Sequence, residues 1–358
     1  MVRLIVDVPS GSYPVVIGQN LKRELKGVIN RLDPTAVVII TDSNVKSWAE
    51  SVARTVKSGR VKVSIYVVPA GERSKSLAGL GGVLAFLERK RIDRGAVIIA
   101  VGGGTVGDLA GFAAAVWQRG VRLVAVPTTL LAMVDSSIGG KTGINGVRYK
   151  NAVGAFWQPS AVVTDLAYLE TLPAVQLRDA FAEVVKYGVA MDRGLFEFLQ
   201  KQHESLIAAE RRTLERVVFR CVTAKALVVA HDERERGPRA ILNYGHTAGH
   251  ALEAASRFRV SHGRAVAFGM RVAAKIALAT ELCGPRLVEA QDELLSDLGL
   301  SDRPPSVDAS RVLAAIPHDK KSRRGKVAWV MPRRLGHAEP GHAVPASVVR
   351  RVVRKSLA

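Results

Sequence analysis

The stretch Ala96–Asn151 restricts the possible folds more than any other part of the chain. Its apolar run AVIIAV, residues 96–101, has the length of one buried strand. Glycines follow at 102, 103, 104 and 107, and they remove the Cβ atoms that hold a backbone away from an anion. The helix-forming stretch from Val106 points its amide dipoles back at the same spot. A further strand, Arg122–Val126, then leads into Thr128, Thr129, Asp135, Ser136, Ser137, Lys141, Lys150 and Asn151. Solubility does not require so many polar groups beside apolar strands, whereas a small anionic substrate lying against a nucleotide does. Ala96–Trp117 is apolar enough to resemble a membrane span, but it holds Asp108 and five glycines. A buried strand–helix unit of a soluble protein fits it better.

Up to about residue 165 the same alternation repeats. Strand-like runs fall at Leu4–Val8, Val15–Ile17, Ala36–Ile40, Val63–Val68, Ala96–Val101, Arg122–Val126 and Ala161–Val163. Polar or Gly/Pro punctuation follows most of them, as in TDSN, PAGE and PTT. This predicts a parallel sheet covered by helices on both faces, with ligands at the carboxyl ends of its strands. From Leu166 the period becomes helical, at Val175–Val189, Leu195–Ala208, Leu214–Ala230, Ala248–Arg257, Arg264–Leu282 and Leu287–Asp297. Pro173 stands at a helix start and Gly284–Pro285 at a helix end, and Val327–Met331 reads as a short strand.

A chain of 358 residues exceeds what one core usually serves, so two domains are expected. The fold class is an N-terminal Rossmann-like α/β nucleotide-binding domain, residues 1–165, followed by a mainly α-helical domain, residues 166–358, that binds metal and substrate. The active site is expected in the cleft between them. The formal charge of +20 invites a nucleic-acid partner. Yet the basic residues are scattered, and no aromatic platform or nucleic-acid motif accompanies them, so no nucleic acid and no membrane is expected. A basic surface attracts anionic metabolites equally well. Cys221 and Cys283 form no spacing motif, and the N-terminal MVRLIVDVPSGSYPVVIG reads as strand, turn and strand, which points to the cytoplasm.

Within this frame, GGGTVGD contains GxGxxG, but after a late strand and with no acidic residue placed to hold a ribose. Asp42 is the better ribose candidate, and Glu72 and Lys75 are placed to flank the same nucleotide. In the second domain, NYGHTAGH sets His246 and His250 at i, i+4, and His262 follows in SHG. AEVVKYG sets Glu183 and Lys186 at i, i+3. Two imidazoles and a carboxylate with an open position suit a catalytic zinc or similar divalent ion. Spacing alone does not choose between His246 and His250. HTAGH lacks the glutamate of the metalloprotease helix, so peptide hydrolysis has no support. Lys225, Arg239 and Asn243 upstream are candidates for binding a carboxylate or phosphate.

These strings together resemble the 3-dehydroquinate synthase family of sugar-phosphate cyclases. The resemblance rests on TDSNV, GERSKS, GGGTVGDLAGFAAA, PTTLLAMVDSSIGGKTGIN, YKNAVGAFWQP, TLPAVQLRDAFAEVVKYG, DERERGPRAILNYGHTAGHALE, SHGRAVAFGM and HDKK. It implies a carbon–oxygen lyase of the shikimate pathway that turns 3-deoxy-D-arabino-heptulosonate 7-phosphate into 3-dehydroquinate and phosphate. The route is transient oxidation by NAD, phosphate elimination, re-reduction and intramolecular aldol closure.

By the same resemblance, NAD is held by Asp42, Asn44, Glu72, Lys75, Gly103, Gly104, Asp108, Thr128, Thr129, Lys141, Lys150, Thr171 and Leu172. A divalent metal, zinc or cobalt, is bound by Glu183, His246 and His262. Asp135, Lys141, Lys150, Asn151, Lys186, Lys225, Arg239, Asn243, His250 and Lys320 serve the anionic keto-acid phosphate. The resemblance also implies a homodimer. Three positions depart from its pattern: Arg264 replaces a glutamate two residues after His262, Pro238 a leucine, and Tyr149 a glycine. A cation at 264 opposes metal binding unless it points away.

Overall fold

The computed structural model describes residues 1–58, 61–147, 150–300, 307–316 and 327–357. Its chain divides into two compact units. One is Met1–Pro173 with Lys225–Arg234; the other is Ala174–Ala224 with Glu235–Ala358.

The strands of the first unit are β1 (Val2–Val8), β2 (Gly11–Gly18), β3 (Ala36–Asp42), β4 (Lys62–Val68), β5 (Val97–Gly102), β6 (Arg122–Pro127), β7 (Lys141–Ile144), β8 (Val153–Phe156) and β9 (Ala161–Asp165). Seven form one sheet in the order β1-β2-β9-β6-β5-β3-β4. All seven sequence-derived strands lie in it. The sheet is mixed rather than wholly parallel, because the β1–β2 hairpin runs antiparallel at one edge. A hairpin joined by a two-residue turn allows no other direction, whereas the remaining crossovers carry helices. β7 and β8 pair in a separate hairpin that the sequence pattern did not disclose. Both strands have only four residues, too few to establish alternation.

The helices of this unit are α1 (Lys22–Leu32), α2 (Lys46–Val56), α3 (Leu77–Arg89) and α4 (Gly104–Val116). Val38, Ile40, Ile98 and Ala100 pack with α3 and α4 in one core. The alternate residues Val37, Ile39, Val97 and Ile99 are fully buried as well. Strands covered on both faces read as unbroken apolar runs, which is why they were legible.

Residues 225–234 return to the first unit, so the boundary is not a single cut at residue 165. Lys225 bonds to Asp135, and the Glu233 carboxylate accepts from Ser10 and from Gln158 Nε2 at 2.9 Å. These partners lie far apart in the chain, and no local pattern announces them.

The second unit holds α5 (Ala174–Ala190), α6 (Arg193–Ile207), most of α7 (Arg211–His231), α8 (His246–Ala255), α9 (His262–Ala279), α10 (Pro285–Asp297), α11 (Ala309–Ala315) and α12 (Ala346–Leu357). A hairpin of β10 (Trp329–Arg334) and β11 (His337–His342) completes it. Gly284 and Pro285 open α10 rather than close the preceding helix, since α9 already ends at Ala279. Proline at the first helical position lacks only an N–H that would have no intrahelical partner. Among the described residues, no helix is long and apolar enough to cross a membrane.

Helices α8 and α9 pack backbone to backbone. Gly245 takes a left-handed φ of +81° ahead of α8, and a Cβ added at Gly269 would overlap its carbonyl. Such an approach is open only to glycine. Gly269→Ala is therefore expected to destabilise the protein by about 1–3 kcal/mol through overpacking. A thermal melt of the variant matching the parent would contradict this close packing.

Candidate functional site

In the second unit, Glu183 lies mid-way along α5 and is wholly buried. His246 is the first residue of α8, His262 the first of α9. The Nε2 atoms of the two histidines lie 3.3 and 3.2 Å from Glu183 Oε1. One ligand atom from each of the three residues falls within 4.8 Å of the others. This selects His246 where the spacing left His246 and His250 open. The His250 ring stands 5.2 Å from that of His246 and 6.4 Å from that of His262.

The hydrogen-bond chemistry tests whether an ion suits this place. His246 Nδ1 lies 3.2 Å from the Tyr244 carbonyl, which can only accept, so Nδ1 carries the hydrogen. A neutral imidazole then turns a bare lone pair at Nε2 toward a carboxylate oxygen. Two acceptors face each other, and only a proton or a cation between them relieves the repulsion. On the far side of His262, Nδ1 lies 3.6 Å from the buried Glu253 carboxylate. A carboxylate behind a ligating imidazole is a common orienting device. The residues fit a divalent ion.

Burial alone would raise the Glu183 carboxyl, but the Lys186 ammonium against its second oxygen and His246 hold it well below the usual range. Burial pushes the His246 imidazole down, against the pull of Glu183. Burial also opposes a charge on His262, yet hydrogen bonding to Glu183 and Glu253 brings it up to about 10. Lys186 is buried with its ammonium 4.7 Å from the Tyr187 ring. Arg239 is fully buried on the 3-10 turn Pro238–Asn243. Asn243 Nδ2 donates to Glu235 Oε1 at 2.9 Å.

In the first unit, the candidate residues stand at the carboxyl ends of β3, β5 and β6 and in the segments that follow β4 and β7. Asp42 Oδ1 accepts the Asn44 N–H at 2.8 Å, which closes the turn after β3. Glu72 accepts from Thr105 at 3.0 Å and from Asn145 Nδ2 at 2.8 Å. The Lys75 ammonium joins Asp108 and Asn151. Burial raises the Asp108 carboxyl despite this partner. Lys225 Nζ donates to the Asp135 backbone oxygen at 2.7 Å and to its Oδ1 at 2.6 Å.

Gly103 and Gly104 start α4, and Gly107 faces open space where a Cβ would meet nothing within 4 Å. Gly102 is glycine for a second reason, since a Cβ there would strike Val106. Thr128 Oγ1 is buried with no hydrogen-bond partner among the described residues, beside Thr129 at the end of β6. A pocket here is lined by Gly102, Gly107, Asp108, Ser136, Ser137 and Lys141, among others. An open glycine turn, a helix N-terminus and an unmatched hydroxyl fit a nucleotide cofactor.

Thr171 lies apart from these bonds, accepting from Trp48 Nε1 at 3.0 Å, while the Leu172 N–H donates to Leu169. Lys150 follows the β7–β8 hairpin's first strand and is half-buried. Lys320 lies outside the described residues.

Sequence reasoning missed Glu253, Asp179, Glu235 and Asn145. Glu253 was recoverable, because it lies seven residues after His246 on the same helix face. Asp179 was not: its carboxylate accepts the Gly263 and Arg264 N–H groups at 2.9 and 3.1 Å and so anchors the helix end that carries His262. Glu235 and Asn145 gain meaning only from partners brought near by the fold.

The Lys75–Asp108 pair yields a direct test. Lys75→Met strands a mostly buried carboxylate and is expected to cost about 3 kcal/mol of stability, while K75M/D108N recovers most of it. Equal melting temperatures for the single and double variants would rule out this pairing.

The described geometry has clear relatives. The 3-dehydroquinate synthase N-terminal model matches residues 65–179, and the 3-dehydroquinate synthase C-terminal model matches residues 180–322. A 3-dehydroquinate synthase of Gloeobacter violaceus is 42% identical over 361 aligned positions, covering 99% of both chains. Among solved structures, 2-deoxy-scyllo-inosose synthase complexed with carbaglucose-6-phosphate, NAD+ and Co2+ superposes with a TM-score of 0.92 at 28% identity, covering 99% of this chain and 100% of that one. The 2-epi-5-epi-valiolone synthase of Streptomyces hygroscopicus subsp. jinggangensis, with NAD+ and Zn2+ bound, superposes at 0.87 with 26% identity and 96% coverage of both. With both halves matched by one family's models and a full-length relative at this identity, the chain belongs to the 3-dehydroquinate synthase family.

Proposed function

We propose that this chain carries 3-dehydroquinate synthase activity, releasing phosphate from 3-deoxy-D-arabino-heptulosonate 7-phosphate and closing the carbocycle of 3-dehydroquinate. The observation that carries this reading is the convergence of Glu183, His246 and His262 in a chain whose full-length relatives are 3-dehydroquinate synthases. Both cyclase structures hold NAD+ with a divalent ion, and we assign the same pair to this chain. When bound, the ion acidifies a substrate hydroxyl and the nicotinamide takes up and returns a hydride.

The chain's own residues bind, orient and stabilise. Glu183, His246 and His262 hold the ion, and Glu253 keeps the His262 ring turned toward it. Asp42, Asn44, Glu72, Lys75, Gly103, Gly104, Asp108, Thr128, Thr129, Thr171 and Leu172 hold the dinucleotide, with Lys141 and Lys150 at its reactive end. Lys150, Asn151 and His250 stabilise the departing phosphate. Asp135, Lys141, Lys186, Lys225, Asn243 and Lys320 order the polyol chain. Arg239 binds the substrate carboxylate, which favours a keto acid over a plain sugar phosphate; a guanidinium shielded from water binds an anion more strongly than an exposed one. Most of the work is holding one conformer and screening charge. We place the enzyme in the cytoplasm, where the free Cys221 and Cys283 suit a reducing environment, and we infer that it works as a homodimer with no nucleic-acid partner.

Phosphate-release kinetics with the seven-carbon keto-acid phosphate test the reading. Turnover is expected to stop with a chelator, to return with Zn2+ or Co2+, and to leave no lasting NADH absorbance. Lasting NADH formation from a simple polyol, without phosphate release, would make the chain a dehydrogenase instead. Arg239→Ala is expected to cost about 2–4 kcal/mol in kcat/KM. An unchanged kcat/KM would remove Arg239 from the substrate site.

A further inference from the structure

Helix α9 begins at an end that its own sequence leaves uncapped. Ser261 is the N-cap residue, yet its hydroxyl accepts no N–H of the first turn, and that turn contains no acidic residue. Arg264 stands there instead, at the third helical position, where the positive end of the helix dipole disfavours a cation. His262, one of the three residues that converge at the ion site, opens the same turn. An uncapped first turn frays, and a ring carried on it holds no fixed direction.

What holds this turn comes from another helix. Asp179 of α5 accepts the Gly263 N–H at Oδ2, 2.9 Å away, and the Arg264 N–H at Oδ1, 3.1 Å away. The Ser261 hydroxyl donates to the same carboxylate. Two amides that no helical carbonyl can reach are thereby satisfied, and an acid faces the positive helix end. The close approach is built into the backbone, because a Cβ on Gly263 would overlap the Asp179 carbonyl. Glu183 follows Asp179 by four residues, one turn along the same face of α5, and its Oε1 lies 3.2 Å from His262 Nε2. Helix α5 thus grips His262 twice, at the backbone of its turn through Asp179 and at its ring through Glu183.

We propose that Asp179 is a positioning residue of the ion site: its carboxylate caps α9 from α5, offsets Arg264, and so fixes the direction in which His262 presents Nε2. It touches neither ion nor substrate. The spacing Ser261-x-x-Arg264 is that of a capping box whose acid has been replaced. Asp179 supplies from a neighbouring helix what a glutamate at 264 would supply locally, an anion at the positive helix end and an acceptor for its free amides. The cation at 264 is therefore compatible with an ion held by His262, two residues away. This inference rests on the divalent-ion site proposed above, and its test is read from ion binding rather than from turnover.

Zinc affinity of the metal-stripped full chain, measured by competition with a chromophoric chelator, tests the proposal, with thermal melts as folding controls. Asp179→Ala is expected to weaken zinc binding by about tenfold or more, and Asp179→Asn, which keeps the shape and one acceptor, by less. Adding R264E to Asp179→Ala rebuilds the Ser-x-x-Glu box and is expected to recover most of the loss. Asp292→Ala breaks the Arg271–Asp292 pair further along α9 and serves as the control for stability alone; zinc affinity is expected to stay at the parent value. A folded Asp179→Ala that binds zinc as tightly as the parent overturns the proposal. So does a double variant no better than the single one, or an Asp292→Ala that weakens zinc binding equally. Should Asp179→Ala not fold, D179N and D179N/R264E carry the same comparison. A parent without zinc affinity overturns the ion reading and this inference together, whereas absence of the Asp179 effect alone leaves that reading standing.

Discussion

A carboxylate cut off from water governs the second unit. Glu183 has no exposed surface, and an isolated charge there would be driven to take up a proton. It stays ionised because Lys186 lies against one oxygen and two imidazoles against the other. Those groups come from three helices, so the carboxylate is satisfied only when α5, α8 and α9 sit in one arrangement. Glycine permits that arrangement: Gly269 approaches the Gly245 carbonyl, and Gly263 lies against the Asp179 backbone. The same packing that removes water from Glu183 aims the donor atoms at one point. Stability of the unit and readiness of the ion site therefore have a common origin.

The first unit solves a different problem. The inner strands of its sheet are buried on both faces, so polar groups collect where those strands end. There the chain builds short bonded clusters rather than free cations: Lys75 with Asp108 and Asn151, Glu72 with Thr105 and Asn145, Lys225 with Asp135. Such clusters hold side chains in place before any ligand arrives, which lowers the entropy lost on binding. The net charge of +20 is then a property of the whole surface and adds long-range attraction for an anionic substrate.

Much of this was legible because the physics is local. Runs such as Ala96–Val101 and Arg122–Val126 are apolar throughout, since both faces of the strand are covered, and the glycines after β5 mark a turn where Cβ atoms do not fit. Helical spacing put His246 and His250 on one face and showed that Glu183 and Lys186 look the same way. The four-residue strands β7 and β8 were too short to display a period. The helix α12, with Val349, Val352 and Val353 buried, lies in a stretch where charged residues masked the apolar stripe.

The amino-acid sequence by itself determined the seven strands of the main sheet, most helices of the second unit, the glycine turn, and the residue types able to bind a metal or an anion. These follow from side-chain periodicity and from steric limits acting over a few residues. The tertiary structure brings His246 to Glu183 and His262, as the family resemblance implied where spacing alone left His250 open, and it alone decided that Asp179 anchors the helix end carrying His262, that Glu253 backs that ring, and that residues 225–234 rejoin the first unit. Each of those depends on atoms brought together across dozens of residues. Proximity in space is set by how helices and sheets pack, and no short window of sequence contains it.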